Sequence, residues 1–290
     1  MRIARFALGD EVRYGVVDDD GAAEVDGAAN ASHGAQDGAG ADPATGEPAR
    51  GLSVAEIAGH PFGPGPEDVR LTGAHYPLDD VRLLAPILPS KVVAIGRNYA
   101  EHARELGNEP PAEPLIFLKP STAVVGPGDA IVRPVPVSKR VDYEGELAIV
   151  FGRLCRDVPE ARVPEVIFGY TCANDVTARD LQARDGQWTR AKGFDTFCPL
   201  GPWIETGLDP AALRLTTTVN GEIKQDSRTS LLIHGIATLV SYVTGVMTML
   251  PGDVLLTGTP AGVGPVTAGD SVSVWIEGIG TLTNRVVDSS

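Results

Sequence analysis

Two glutamates, Glu144 and Glu146, stand two residues apart at the start of an apolar, β-branched run that ends at Val150. Such a run is typical of a buried strand, and side chains two residues apart on a strand point to the same face. Adjacent carboxylates repel each other and resist desolvation, whereas a hard divalent cation such as Mg²⁺, Mn²⁺ or Ca²⁺ removes both penalties. The alternative is that both glutamates lie on a solvated sheet face, and this fragment alone slightly favours that alternative.

A histidine and a glutamate, His102 and Glu105, lie three residues apart in a helix-like segment, 97–107, that ends in glycine. On a helix this spacing places both side chains on one face. A carboxylate that hydrogen bonds to an imidazole orients the ring and raises its basicity, as a general base requires. The alternative is an ordinary surface pair, which is the commoner explanation for an isolated H-x-x-E motif.

Two further polar side chains occupy positions that suit a site. Asp175 follows a predicted strand, 166–173, and precedes a helix that the pattern places from Thr177 onwards. Its alternative role is to stabilise the N-terminus of that helix. Lys192 lies in an aperiodic, aromatic segment, 186–202, which either closes over a ligand or packs on the core. The glycine-rich turn near 257–264 lacks the lysine of a phosphate loop and could hold a carboxylate.

The elements that must position these side chains divide the chain near residue 80. Before it, two β-type runs, 2–8 and 12–17, indicate a hairpin, and Ser53 is placed to cap a short helix from Val54 to Ala58. The stretch 27–51 is rich in Ala and Gly, also contains Asp and Pro, and has almost no large apolar residue, which predicts a flexible insertion. We therefore predict a small β-rich N-terminal domain, 1–80, and a main domain, 81–290.

The main domain alternates strands with short connections. Its predicted strands include 91–96, 115–119, 213–219, 253–256, 272–276 and 281–287, with Asn220-Gly221 as a hairpin turn. We expect a loop at 124–137 and a buried helix at 231–250. The polar residues of that helix, His234 among them, argue against a membrane span.

Composition excludes several classes of partner. The net charge of −14 over 290 residues opposes binding to nucleic acid or to anionic membranes. The three cysteines, Cys155, Cys172 and Cys198, lack C-x-x-C spacing, which favours a reducing cytosol and opposes a Cys-based zinc site. The apolar run after the N-terminus is too short for a signal peptide, so we expect a cytoplasmic protein.

Six segments in one order resemble the fumarylacetoacetate hydrolase family over about residues 81–287: GRNYAEHARELG, LIFLKPSTAVVG, DYEGELAIVFG, GYTCANDVTARDLQ, RAKGFDTFCPLGPWI and LLTGTPAGVG. The resemblance implies an α+β, mostly-β fold with a rolled β-sheet, usually assembled as a homodimer. It also implies a Mg²⁺ or Mn²⁺ site, and Ca²⁺ would also suit it. The ligands of that site correspond here to Glu144, Glu146 and Asp175.

The resemblance assigns further roles position by position. His102 and Glu105 match the acid–base pair of hydrolytic members, which lies on a short lid helix. Lys192 matches a catalytic residue facing the substrate. Arg179 and Gln182 match substrate-facing residues, and Thr259 matches the hydroxyl that helps to hold the substrate carboxylate.

Family members act on small 2-oxo or 2,4-dioxo acids, so the resemblance implies an enzyme without fixing its reaction. We expect hydrolysis of a C–C bond in an acylpyruvate-type substrate through a metal-stabilised enolate, because the His-x-x-Glu pair can activate water. The alternatives are isomerisation of a 2-hydroxyhepta-2,4-diene-1,7-dioate or 5-carboxymethyl-2-hydroxymuconate, and decarboxylation or tautomerisation of oxaloacetate. A ligand-binding homologue without catalysis is disfavoured, because His102, Glu105 and Lys192 are all present.

Overall fold

The computed structural model describes residues 1–19, 51–62, 69–105, 107 and 109–290 of the chain. The expected flexible insertion, about residues 27–51, lies outside the described residues except for Gly51.

Strands dominate the described residues, which confirms the predicted α+β, mostly-β class. The strands are β1 (Arg2–Leu8), β2 (Glu11–Asp19), β3 (Leu52–Ile57), β4 (Leu71–Pro77), β5 (Arg82–Leu84), β6 (Val92–Gly96), β7 (Leu115–Lys119), β8 (Val124–Val125), β9 (Ala130–Arg133), β10 (Val141–Tyr143), β11 (Gly145–Phe151), β12 (Ile167–Asn174), β13 (Thr177–Ala178), β14 (Cys198–Glu205), β15 (Arg214–Val219), β16 (Glu222–Arg228), β17 (Val254–Leu256), β18 (Gly264–Pro265), β19 (Ser271–Ile276) and β20 (Gly280–Asp288). The α-helices are α1 (Ala100–Glu105), α2 (Arg179–Asp185), α3 (Thr189–Lys192) and α4 (Ile236–Val246), and short 3₁₀ helices lie at Leu78–Asp80, Ser121–Ala123, Glu160–Glu165 and Thr229–Leu231.

Three sheets contain these strands. The largest has 12 strands in the order β4-β3-β2-β1-β14-β12-β11-β17-β6-β7, with β5 paired to β1 and β8 to β14. A 5-stranded sheet has the order β16-β15-β19-β20-β9, and a 3-stranded sheet has the order β13-β10-β18. The predicted hairpin at Asn220-Gly221 joins β15 to β16, and both of its residues have the positive φ angles, 53° and 82°, that such a turn requires.

The N-terminal strands extend the largest sheet. The predicted hairpin forms between β1 and β2, and β1 then pairs with β14 at Arg2↔Glu205 and Ile3↔Ile204. The backbone ladder therefore continues from the N-terminal strands into the part of the chain that carries the predicted site. The division into domains near residue 80 stays a prediction.

Strand β11 is buried on both faces, which explains its continuous apolar sequence. Leu147 and Ile149 belong to a core cluster that also contains Leu239 of α4. Ala148 and Val150 point the other way, into a second cluster with residues of β6 and β17. This strand therefore lies at the centre of the fold.

Three local predictions are wrong. Residues 54–58 form no helix, because Val54 and Ile57 are buried in β3, which pairs with β2 and β4 and so satisfies its backbone in a sheet. Thr177 does not cap α2, which has Ala178 at its N-cap; instead, the Thr177 hydroxyl donates to the Asp175 carbonyl over 2.8 Å. The expected loop 124–137 contains β8 and β9.

The helix predicted at 231–250 is shorter than expected. It spans Ile236–Val246, because Leu232 forms a bridge with Tyr99 before it and Met249 forms a bridge with Cys155 after it. Within the described ranges, none of the helices has the length and apolar content of a membrane-spanning segment.

The central position of β11 generates a stability prediction. Leu147→Ala removes a side chain with 0% exposure from the larger core cluster, so we expect it to lower the free energy of unfolding by about 2–5 kcal/mol. Urea denaturation followed by circular dichroism measures this change. Leu118→Ala on β7, where the side chain is 45% exposed, is the control and should change stability by no more than about 0.5 kcal/mol. Equal effects of the two substitutions would contradict the central role of β11.

Candidate active site

Three carboxylates meet at the ends of β11 and β12. One oxygen each from Glu144, Glu146 and Asp175 lies within 4.8 Å of the other two, and all three residues are buried. The register explains this, because β11 pairs with β12 at Gly145↔Asn174 and Glu146↔Ala173, so that Asp175 follows the last pair. The structure therefore brings together the three residues that the resemblance assigned to a metal.

Glu144 interrupts the single strand predicted over 141–150 and separates β10 from β11. Its backbone is held at this break by two hydrogen bonds across to the end of β12. The Glu144 N–H donates to Asn174 Oδ1 over 2.9 Å, and the Asp175 N–H donates to the Glu144 carbonyl over 2.8 Å. These bonds fix the backbones of Glu144 and Asp175, which carry two of the three carboxylates, relative to each other.

Three cations balance part of this negative charge. Lys192 Nζ donates to Glu144 Oε2 over 2.8 Å and to Asp175 Oδ2 over 2.5 Å. Lys119 Nζ donates to Asp175 Oδ1 over 2.5 Å, and Arg179 Nη2 donates to Glu144 Oε1 over 2.5 Å. Lys119 and Lys192 are both almost completely buried, so these ion pairs offset the cost of removing the two ammonium groups from water.

The charge is distributed unevenly over the three carboxylates. Although burial opposes ionisation of Glu144, its neighbours Lys192 and Arg179 hold its pKa well below the usual range. Burial raises the pKa of Glu146 well above its ordinary value, and the charges of Asp175 and Glu144 raise it further. Among the described residues, Glu146 has no ion-pair partner and accepts a hydrogen bond from the Gly258 N–H over 2.6 Å.

This arrangement fits a divalent cation. The donors are oxygens only, as Mg²⁺, Mn²⁺ and Ca²⁺ prefer, and no histidine or cysteine belongs to the group. A cation beside Glu146 would compensate the one carboxylate that the lysines and Arg179 leave without a partner. The three residues thus form a group able to hold a divalent metal ion.

The carboxylates open into a cavity of about 250 Å³. Eight of the nine site residues named from the sequence line it: His102, Glu144, Glu146, Asp175, Arg179, Gln182, Lys192 and Thr259. Glu105 does not line the cavity but contacts His102 from behind, with 3.4 Å between His102 Nδ1 and Glu105 Oε2. The structure therefore gathers every predicted site residue around one space.

The His102–Glu105 pair lies on α1 and is fixed at two points. The Gly262 N–H of the glycine-rich turn donates to both carboxylate oxygens of Glu105, over 3.1 and 3.2 Å. Just before α1, Asn98 Nδ2 donates to the Thr257 carbonyl over 2.8 Å. Burial lowers the pKa of His102, which favours the neutral imidazole that a general base needs.

The predicted substrate-facing residues are also hydrogen bonded. Arg179 and Gln182 share one face of α2, where Arg179 Nη1 donates to Gln182 Oε1 over 2.7 Å. The Thr259 hydroxyl donates to the Gly145 carbonyl over 2.9 Å and accepts from Gln225 Nε2 over 2.8 Å. In this arrangement the hydroxyl proton of Thr259 is directed at the protein backbone.

Several residues of the site were not identified from the sequence. Lys119 is the last residue of the predicted strand 115–119, and a lysine that closes an apolar strand favours a buried ion pair without indicating its partner. Asp142 is fully buried and holds Arg179 through Nε over 2.9 Å. Gln225, in the short strand after the predicted hairpin turn, accepts the Gly145 N–H over 2.9 Å and so ties β16 to the site. Arg97, the first residue of the helix-like segment 97–107, also lines the cavity.

Two family models match the chain. Residues 91–287 match the fumarylacetoacetate (FAA) hydrolase C-terminal family, and residues 1–86 match the Rv2993c-like N-terminal family. The chain is 59% identical to protein Rv2993c of Mycobacterium tuberculosis over 249 residues, which cover 85% of this chain and 92% of the relative.

Two solved structures are similar to this chain over two thirds of its length or more. A structure of 5-carboxymethyl-2-hydroxymuconate delta-isomerase from Mycobacterium smegmatis is 51% identical, covers 100% of both chains and superposes with a TM-score of 0.83. Fumarylpyruvate hydrolase from Pseudomonas aeruginosa, solved with Mn²⁺ and pyruvate, is 37% identical and covers 69% of this chain and 90% of its own, with a TM-score of 0.65. The family model spans more than half of the chain, and its match contains all nine predicted site residues, so the protein belongs to the fumarylacetoacetate hydrolase family.

Proposed function

We propose that this enzyme hydrolyses a C–C bond in a 2,4-dioxo acid of the acylpyruvate type. The observation that carries the proposal is the position of His102, which lines the same cavity as the three carboxylates and Lys192 and is backed by Glu105. Addition of water to a dioxo acid requires a general base and a charged centre that face the same cavity. The hydrolase from Pseudomonas aeruginosa supports this reaction class within the family.

The proposed metal ligands are Glu144, Glu146 and Asp175, and the proposed ion is Mg²⁺ or Mn²⁺. When bound there, the ion supplies Lewis-acid stabilisation of negative charge on the 2-oxo oxygen of the substrate. Lys192 adds a second positive charge on the same side of the cavity. Arg179 holds Glu144 in place and, with Gln182, offers polar contacts to the substrate.

The chemical step follows from the orientation of His102. Because Nδ1 faces Glu105, Nε2 is the nitrogen left to take a proton from a water molecule in the cavity. The resulting hydroxide adds to the distal 4-oxo carbon, and the bond between C3 and C4 breaks. Its electron pair leaves as the enolate of pyruvate, and protonation at C3 completes the reaction, with a carboxylic acid as the second product. General-base assistance of this kind contributes about 10²–10⁴ in rate.

An isomerase is the second candidate function. It is favoured by the relative from Mycobacterium smegmatis, which is named as an isomerase and matches this chain over its full length. Isomerisation needs only movement of a proton, which the same His102–Glu105 pair could perform without activating water. Decarboxylation or tautomerisation of oxaloacetate uses the same enolate chemistry and belongs with this second candidate.

We also propose that the enzyme is a homodimer. Helix α4 carries no charged residue, and Val246 at its end is 54% exposed. Leu231, which precedes the helix, is 59% exposed, so the segment 231–246 presents apolar side chains at both ends that a second copy could cover. Sedimentation equilibrium is expected to give twice the chain mass of 30.3 kDa. A mass of one chain at micromolar concentration contradicts the dimer.

The metal proposal predicts the effect of removing one ligand. Glu146→Gln should weaken Mn²⁺ binding by about 100-fold or more and abolish most activity, because the cation loses the carboxylate that has no other counter-charge. The fold should survive, since Gln keeps the shape of the Glu146 side chain. Isothermal titration calorimetry and circular dichroism measure the two properties. Glu165→Gln, on the exposed 3₁₀ helix, is the control, and full turnover of chelator-treated wild type would exclude the metal.

The role of His102 separates hydrolysis from simple enolisation. His102→Ala should lower cleavage of acetylpyruvate by about 100-fold or more, because water loses its base. Exchange of the substrate C3 protons with deuterated solvent should stay within about tenfold of wild type, since it requires only the enolate. Nuclear magnetic resonance follows both reactions in one sample, and Glu101→Gln on the exposed side of α1 is the matched control. If exchange and cleavage fall equally, His102 handles the C3 proton itself and the isomerase becomes the better candidate.

A further inference from the structure

One cation that lines the cavity has no role in the proposed reaction. Arg97 is half-buried at the cavity wall, and no described carboxylate lies within ion-pair distance of its guanidinium. Its Cζ lies 5.7 Å from the centroid of the Trp188 ring, a cation–π contact. Lys192 and Arg179, by contrast, are neutralised by the carboxylates they hold. Arg97 is therefore the cavity cation that remains free to bind an anionic group.

The backbone holds Arg97 in an uncommon conformation. Its φ angle is 58°, in the left-handed region that residues other than glycine rarely adopt. The neighbours on both sides are closely confined. Gly96 has no space for a side chain, since a Cβ there would lie 2.5 Å from a carbon of the Trp188 ring, and Asn98 is bonded to Thr257 and His234. Strained positions held by their surroundings are concentrated at functional sites.

An aromatic wall connects the carboxylate centre to Arg97. Lys192 Nζ, which is bonded to two of the carboxylates, lies 5.0 Å from the centroid of the Phe117 ring. Phe117 packs edge-on against Trp188 with 5.2 Å between ring centroids, and the guanidinium of Arg97 lies over the Trp188 ring. A ligand with one end at the carboxylates and an unbranched carbon chain along this wall presents its other end to Arg97.

We propose that Arg97 binds a second, distal carboxylate of the substrate, so that the cavity selects 2-oxo diacids over 2-oxo monoacids of equal length. A guanidinium can bind a carboxylate through two parallel hydrogen bonds, and the Trp188 face restrains it in position. The inference rests on the proposed function in one respect, because it takes the 2-oxo acid end of the substrate to lie at the three carboxylates. Arg97 is then a specificity-determining residue, whichever reaction follows binding.

Ligand pairs that differ in one carboxylate test this inference by binding alone. The pairs are 2-oxoglutarate with 2-oxovalerate, and 2-oxoadipate with 2-oxohexanoate, each titrated calorimetrically into the Mg²⁺-loaded protein. Wild type should bind the diacid of at least one pair about 10- to 100-fold more tightly than the monoacid. Arg97→Asn, which tolerates a positive φ, and Arg97→Gln should remove that preference and leave monoacid affinity within about threefold. Arg97→Lys should retain part of the preference, because it keeps the charge and loses the paired hydrogen bonds.

The control is Arg104→Gln, which removes an exposed arginine of α1 that does not line the cavity and should leave both affinities unchanged. A diacid preference that survives in Arg97→Asn and Arg97→Gln overturns the inference. Equal weakening of diacid and monoacid also overturns it, because Arg97 would then act by positioning Trp188. If wild type binds neither member of either pair, the 2-oxo acid end does not bind at the three carboxylates, and the proposed function fails together with the Arg97 inference. If wild type binds monoacids and diacids with equal affinity, the Arg97 inference alone is overturned.

Discussion

The burial of three carboxylates within 4.8 Å of one another is the constraint on which the rest of the site depends. Like charges at this separation cannot all remain ionised in a dry interior without compensation. The compensating cations come from β7, α2 and α3, so the ends of these elements must converge on the ends of β11 and β12. The cavity is the space left between them, and Glu146 is the carboxylate of the three that these cations leave without an ion-pair partner, so that burial raises its pKa.

The parts of the site that depend on short-range spacing could be predicted from the sequence. Glu144 and Glu146 share a face because they are two apart, and α1 brings His102 and Glu105 together because they are three apart. Most strands were predicted as well, since period and composition are local properties. The position of Asp175 beside the glutamates followed from the family resemblance, because the β11–β12 register cannot be read from either segment alone.

The parts that depend on long-range partners could not be predicted. Lys119 is a site residue because it meets Asp175, 56 positions later, and nothing near it in the sequence indicates that contact. Gln225 is similar, since its amide joins Gly145 to Thr259 across three separate segments. The failed helix at 54–58 shows the same limit, because a capping pattern is a weak preference that pairing with two strands overrides.

The two-sided burial of β11 limits how this protein can change in length during evolution. Side chains alternate along the strand, so Glu146 lies on the same face as Ala148 and Val150. Leu147 and Ile149 pack into the core on the opposite face. A single inserted or deleted residue in this strand would exchange the two faces, moving a carboxylate into an apolar core and a leucine into the site. Conservative substitutions there can be absorbed by repacking, but insertions and deletions cannot. Homologues should therefore vary in length in the connections between strands and keep β11 at constant length.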